Sequence, residues 1–310
     1  MENHEYFWLF LIINCCSGSG TGFNDDPAID PRLYNLDWMK SVPDETLISA
    51  LSIPGTHESL SLHGGPLAKC QVWTLDQQLN LGVRYFDLHV GLWLSNQKYL
   101  YIRDSHWMFW QHAHLDEVLR IIFNFLNTHT SESVLVKVTL HGLYQGRATK
   151  LMTELIDKNR NKIWNKSSIP NMQQVRGNIV LLQSDTFNPG IENQESMFFE
   201  NKKLINVEDK IRNIKSHLCD HHVVLTDTAA SALSRPKTLA QTLNKQLVNF
   251  VVQHKKSSSN QGCLGVLSMN FPSADLIKNI IQLKPCNCVK GAKIGDGGRK
   301  IQLKKPLHWT

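Results

Sequence analysis

Ser52-Ile53-Pro54-Gly55-Thr56-His57-Glu58-Ser59 is the point at which an apolar run turns polar and titratable. Leu47, Ile48, Leu51 and Ile53 read as a strand, with Pro54-Gly55 as its stop. His57 follows at once. In barrels and open α/β sheets, residues just beyond the carboxyl ends of strands line the site. An imidazole there titrates near neutral pH and can accept or give a proton.

Outward from this stretch, strand and helix signals alternate. Residues 36–42 read as a short helix, and 77–81 as a helix stopped by Gly82 in the C′ position. Residues 83–90 alternate and are rich in β-formers, and 98–103 read as another strand. Apolar residues at 115, 118, 119, 122, 123 and 126 have helical spacing, and Asp116 and Glu117 suit that helix's positive end. Strands are expected at 134–140, 178–183, 223–226 and 264–270, and helices at 150–161, 239–254 and 274–283. The buried strands are nearly continuous apolar runs, the pattern of a parallel sheet covered on both faces. No composition break or internal repeat divides the chain, and 255–262 reads as a polar loop. The fold class expected is α/β, a single irregular (β/α) TIM-like barrel over residues 36–284.

The chain has 310 residues, 42% hydrophobic and 19% charged, which describes a globular protein with a sizeable core. A net charge of +6 permits attraction to anionic lipid, and no nucleic-acid motif is present. Lys290, Lys293, Arg299, Lys300, Lys304 and Lys305 form a basic cluster, read as a solvated tail over 285–310. An apolar run at residues 7–16, followed by Ser17-Gly18-Ser19-Gly20, has the length of a signal-peptide core and is too short to span a bilayer. The residues before it carry Glu2 and Glu5 and no Lys or Arg. A signal peptide over 1–22 and secretion are the expectation, and Asn165-Lys166-Ser167 is a glycosylation sequon that agrees with it. Five cysteines remain after residue 22, namely Cys70, Cys219, Cys263, Cys286 and Cys288. The odd number leaves one outside intrachain bridges. Cys286-Asn287-Cys288 is too tight for an easy mutual bridge and is not a CxxC zinc motif.

Four polar features fall on or just after expected strands: His57 with Glu58, Asp87 with His89, His106 in Arg103-Asp104-Ser105-His106, and Asn270. Asp87 and His89 share a face because side chains alternate along a strand, and Arg84 points the other way, to a structural role. Two histidines from neighbouring strands can serve as base and acid across one phosphorus. Of the 14 histidines, His63, His112, His114, His129, His141, His221 and His222 have no context that lifts them above ordinary surface or core residues.

Together these residues resemble the X domain of phosphatidylinositol-specific phospholipase C, in its bacterial-type, metal-independent form and the similar animal X-domain-containing proteins. The matching blocks are Leu51-Ser-Ile-Pro-Gly-Thr-His57-Glu-Ser, Gln77-Gln-Leu-Asn-Leu-Gly-Val-Arg-Tyr-Phe-Asp87-Leu, and His106 followed by Leu115-Asp-Glu-Val-Leu. Phe125-Leu-Asn-Thr-His-Thr-Ser-Glu132-Ser-Val, Arg176-Gly-Asn-Ile-Val-Leu-Leu and Gly265-Val-Leu-Ser-Met-Asn-Phe271 continue the match. The resemblance implies a distorted barrel with its site at the carboxyl ends of the strands. It implies that His57 is the general base toward the inositol 2-hydroxyl and His106 the general acid toward the diacylglycerol oxygen. No metal or other cofactor is implied, and the partners implied are phosphatidylinositol or a related phospholipid at a peripheral membrane surface, met by a monomer.

The sequence also departs from that family. The phosphate-contacting arginine is replaced by His89, the aspartate after the first histidine by Glu58, and the late-strand aspartate by Asn270; the lysine expected after Glu132 aligns with Thr139, and Trp107 replaces a glycine. A protonated His89 can stand in for the arginine if Asp87 or Glu58 holds its pKa up, although it lacks arginine's permanent forked charge. Trp107, Phe109 and Trp110 are candidates for insertion into a lipid interface, and an ordinary strand end is the other reading of that run. Two alternatives to turnover by the two histidines are a lipid-binding barrel without activity, and a metal-assisted phosphodiesterase using Glu58, Asp87 and His89.

Overall fold

The computed structural model describes residues 20–105, 109–197, 199–200, 203–204, 223–227, 235–256 and 262–288. The signal-peptide expectation, His106, Trp107, Cys219 and most of the basic tail lie outside the described residues. After three short 3₁₀ turns come β1 (Ser52–Thr56), α1 (Gly65–Ala68), α2 (Leu75–Leu81) and β2 (Tyr85–Gly91). A hairpin of β3 (Tyr101–Arg103) and β4 (Trp110–His114) precedes α3 (Leu115–Thr128), β5 (Val134–His141) and α4 (Gln145–Lys158). Next are β6 (Ile163–Trp164), α5 (Met172–Val175), β7 (Ile179–Leu182), β8 (Asn193–Met197), β9 (Phe199–Glu200) and β10 (Lys203–Leu204). The described chain closes with β11 (Val223–Asp227), α6 (Pro236–Lys256), β12 (Gly265–Met269) and α7 (Ala274–Ile281). Among the described residues no helix is long and apolar enough to cross a membrane.

The main sheet runs β6-β7-β5-β2-β1-β12-β11-β8 with every pair along that path parallel, as the continuous apolar strands predict. Between β7 and β8 the described residues hold a single isolated bridge, Leu182↔Ile191, and no continuous ladder, so the irregularity expected of the barrel is concentrated there. The β3–β4 hairpin hangs on β2 by antiparallel pairing.

Several sequence boundaries shift. The apolar residues before Ser52 form a 3₁₀ turn, Ile48–Ala50, and β1 runs through Pro54-Gly55 to Thr56. Proline is tolerated because β2 comes alongside β1 only from Gly55, so the missing Pro54 N–H breaks no ladder bond on that side. Thr74 caps α2 in a reciprocal box with Gln77, and Gly82 at φ +107° ends it as expected. α4 starts at Gln145, five residues before the periodic apolar signal, with no side-chain cap. Trp110 opens β4, in line with the strand-end reading of its run.

Strand parity divides the barrel interior into two levels. Ile53, Tyr85, Leu135, Val180 and Val266 come from five strands and form one buried apolar cluster near the strands' amino ends. Gly55 makes room in this level, since a Cβ there would lie 2.5 Å from Tyr85 Cδ1. Two residues further along the same faces stand Gly55, Asp87, Lys137 and Ser268, and two beyond those His57, His89, Thr139 and Asn270. The opposite faces, with Phe86, Leu88, Val136 and Val138, pack under α2, α3 and α4. Arg84 is fully buried on that outer side, where Nε pairs with Glu132 Oε2 at 2.9 Å and the remaining donors meet backbone carbonyls of Leu79, Val83, Asn35 and Leu36. The structural role expected for Arg84 is what is found.

Candidate active site

β1 ends in a tight turn that places two titratable side chains in succession. His57 N–H donates to the Met269 carbonyl at the end of β12, and Glu58 takes φ +41°, a region that costs a non-glycine residue about 1–2 kcal/mol. Ser59 closes the turn: its hydroxyl donates to the Thr56 carbonyl and accepts the Asp87 N–H at 2.8 Å. Gln71 Nε2 donates to both the His57 and Met269 carbonyls at 2.8 Å, fixing the backbone behind the imidazole.

His57 Nδ1 lies 3.1 Å from Asn270 Oδ1. The amide oxygen can only accept, so Nδ1 carries the proton and Nε2 keeps its lone pair. Nε2 stands 3.9 Å from Asp87 Oδ2. Asn270 is itself held, because Asn244 Nδ2 donates to its carbonyl at 2.8 Å.

Asp87 Oδ2 accepts from the Glu58 N–H and faces His89 Nε2, both at 3.2 Å. Asp87 Oδ1 is buried and has no hydrogen-bond partner among the described residues. Burial pushes Asp87 up, but the charge and hydrogen bond of His89, then Lys137 and His57, hold it far below the usual carboxylate range. Burial likewise opposes ionisation of Glu58, yet His57 and His89 with the hydroxyls of Ser105 and Ser61 keep it below its ordinary value. Ser61 donates to Glu58 Oε2 at 2.8 Å, and Ser105, the chain neighbour of His106, donates to Oε1.

His89 is the counterpart of these acids. Burial lowers its pKa, and Asp87 followed by Glu58 more than reverses this, leaving it above the histidine value. Its Nδ1 meets His141 Nε2 at 2.7 Å with the rings stacked at 18°. Burial and the positive His89 press His141 down to about 4, so His141 is the neutral acceptor of the pair.

The structure thus brings His57, Glu58, Asp87, His89 and Asn270 to one mouth, with Thr139 opposite His89 in the β2–β5 ladder. His141, grouped above with the ordinary surface or core histidines, belongs here as well. So does Lys137, opposite Asp87 on the same face and ion-paired with Glu195. The lysine anticipated at Thr139 therefore has an equivalent two residues earlier. A period of two within the apolar run of β5 picks out Lys137, Thr139 and His141 together, and that signal was available. Asp87 and His89 engage one another; the described cluster of metal-ligand type is instead His57, Glu58 and Cys70.

Around the mouth, large apolar residues are exposed: Leu67 (56%) in α1, Trp93 (57%), Leu94 (54%) and Leu143 (93%) in loops after strands, and Trp110 (45%) at the start of β4. The Arg103 guanidinium lies over the Trp93 ring at 4.5 Å. Phe109 is half-buried, its N–H bound to Asp104 Oδ1.

Residues 48–185 match the family model described as phosphatidylinositol-specific phospholipase C, X domain. A 1-phosphatidylinositol phosphodiesterase of Listeria monocytogenes is 28% identical, with 89% of this chain and 93% of that protein covered. The solved phosphatidylinositol-specific phospholipase C from Listeria monocytogenes superposes with a TM-score of 0.69 at 25% identity, over 81% of this chain and 99% of that one. A mutant of the Staphylococcus aureus phosphatidylinositol-specific phospholipase C shares the fold at a TM-score of 0.61 and 16% identity, over 81% and 99% of the two chains. The chain is therefore similar to these phospholipases in sequence through the X-domain region, and in fold over most of its length.

Proposed function

We propose that this chain is a phosphoric diester hydrolase that cleaves phosphatidylinositol-type lipids by two-histidine acid–base catalysis. His57 Nε2 takes the proton of the inositol 2-hydroxyl, whose oxygen attacks the adjacent phosphorus. The bond from phosphorus to the glycerol oxygen breaks, and His106 protonates that oxygen. The products are diacylglycerol and a cyclic inositol phosphate, which water can open in a second step.

The observation that carries this reading is the His57–Asn270 contact, which leaves Nε2 basic beside a buried carboxylate and a held-up imidazolium. His89 supplies positive charge toward the phosphate in place of arginine, and the unpartnered Asp87 Oδ1 is an acceptor for a substrate hydroxyl. Lys137 and Thr139 extend the polar wall. No metal takes part in these steps.

Substrate reaches the site from a membrane surface on which the exposed apolar rim rests, and Trp107, Phe109 and Trp110 are the candidates for insertion into it. The protein works as a secreted monomer, with residues 1–22 as a cleaved leader, 36–284 as the barrel and 285–310 as a basic tail. Secretion is supported by the Cys263–Cys286 disulfide and by the bonded state of Cys288, because such bridges persist in oxidising compartments. Asn165 of the sequon is exposed.

A second reading, a lipid-binding barrel without turnover, draws on the fact that both ring nitrogens of His89 are already engaged. The deciding experiment is release of water-soluble inositol phosphate from phosphatidylinositol vesicles, in EDTA, with His57→Ala as control. Chelator-resistant release that vanishes in the variant supports catalysis. Absence of release by protein that still binds the vesicles would establish the binder instead.

A further inference from the structure

Cys70 is the reduced, buried thiol of the described residues, and it sits beside the proposed base. One ligand atom each from His57, Glu58 and Cys70 lies within 4.8 Å of the other two. The thiol is not there by drift of a loose loop. Cys70 N–H donates to the Ser61 carbonyl at 2.9 Å, and its own carbonyl accepts the Phe271 N–H at 3.1 Å. The next residue, Gln71, clamps the carbonyls of His57 and Met269. The segment is stitched to both strand ends that frame the mouth.

The donor set is one nitrogen, one oxygen and one sulfur. Calcium and magnesium take six or more oxygens, so this set does not suit them. Zinc is bound by such mixed ligands, and three protein ligands with an open fourth position is a common arrangement for it. Charge also balances: an ionised Glu58 and a Cys70 thiolate offset the two charges of the ion, with His57 neutral. Asp87, whose Oδ1 is buried without a partner among the described residues, borders the same space and adds to its negative field.

We propose that His57, Glu58 and Cys70 form a zinc-binding site that shuts the enzyme off. A ring whose lone pair is committed to a metal cannot take the substrate proton. The inhibitory consequence rests on the phosphodiesterase reading; the binding does not.

The test uses the full chain in two parallel assays. In the first, cobalt(II) is titrated as a spectroscopic stand-in, because a thiolate-to-cobalt charge-transfer band requires a cysteine ligand. Zinc affinity is measured alongside by calorimetry. Wild type is expected to give the band and Cys70→Ser to lose it, with zinc binding weakened at least about tenfold. In the second, vesicle hydrolysis is followed with added zinc and then EDTA. Wild type is expected to be inhibited and restored, and Cys70→Ser to turn over normally and resist zinc. Protection of the wild-type thiol from an alkylating reagent by zinc supplies a reading that needs no variant. A band that persists in Cys70→Ser, or a wild-type thiol alkylated equally fast with zinc, would overturn the site. Zinc bound through Cys70 in a protein without hydrolytic activity would support the site and remove the phosphodiesterase reading.

Discussion

His89 Nδ1 and His141 Nε2 stand 2.7 Å apart in stacked rings, and the two histidines carry opposite pKa displacements. His89 donates from both nitrogens, to Asp87 and to His141, so it is the charged member, and His141 is the neutral one. The pair makes an arginine-like cation out of a residue that would otherwise be half titrated near neutral pH.

Turnover should therefore fall on the alkaline side as His89 loses its proton, at a pH above the ordinary histidine value of about 6.5. His89→Arg should carry activity further into the alkaline range, and His89→Gln should lower kcat about 10²–10³-fold across the profile. Profiles of kcat/KM against pH for the three proteins check this. An alkaline limb that stays in place in His89→Arg would show that another group sets it.

Stability should respond to the same pair with two opposite slopes. His89, raised on folding, contributes stability below about pH 6.5 that is lost as pH rises through its folded value. His141, depressed to about 4, makes the unfolded chain bind more protons between about 4 and 6.5, so stability is lost as pH falls through that window. His141→Leu should flatten the acid side and leave the alkaline side. Urea denaturation at a series of pH values measures both limbs.

Asn270→Asp should raise kcat/KM by about one to three orders of magnitude. A carboxylate at Oδ1 would keep the same tautomer of His57 and stabilise the imidazolium formed during proton abstraction, which a neutral amide does not. Vesicle hydrolysis by the variant checks this, and an unchanged rate would mean that proton abstraction is not limiting.

The expected barrel and the facing of Asp87 and His89 were legible because both follow from alternation along strands, and alternation survives errors in the boundaries. Arg84 was placed correctly on the outer face by the same argument. Alternation also puts Lys137 and His141 on the face of Thr139, but that they meet Asp87 and His89 depends on what lies across the β2–β5 ladder, and register is a property of pairing. Cys70 had no spacing signal at all, since it reaches His57 through a loop pinned by backbone bonds. The β3–β4 hairpin was half seen because its second strand begins inside an aromatic run that reads equally well as a rim.

Gly55→Ala should destabilise the fold by about 1–3 kcal/mol, because the new methyl would meet Tyr85 Cδ1 at 2.5 Å in a filled interior. Tyr85→Leu in the same chain should recover part of the loss, a coupling that a double-mutant cycle in denaturant reads directly. Strict additivity of the two changes would argue against the clash.

Trp93→Ser with Leu94→Ser should weaken binding to phosphatidylinositol vesicles at least about tenfold and spare hydrolysis of a water-soluble inositol phosphodiester. Both side chains are more than half exposed beside the mouth and stand clear of its hydrogen bonds to the imidazoles. Vesicle sedimentation and a soluble-substrate assay separate the two effects, and equal loss in both would assign the pair to the site itself.

The two-level interior has an implication for how this barrel tolerates change. Each strand spends its amino half on cohesion and its carboxyl half on chemistry, with Tyr85 and Leu135 below Asp87 and Lys137 on shared faces. A graft that exchanges only the upper halves and their loops meets the resident foundation without disturbing it. The architecture is modular along its axis rather than along its chain, so new headgroup preferences can be written over an unaltered base.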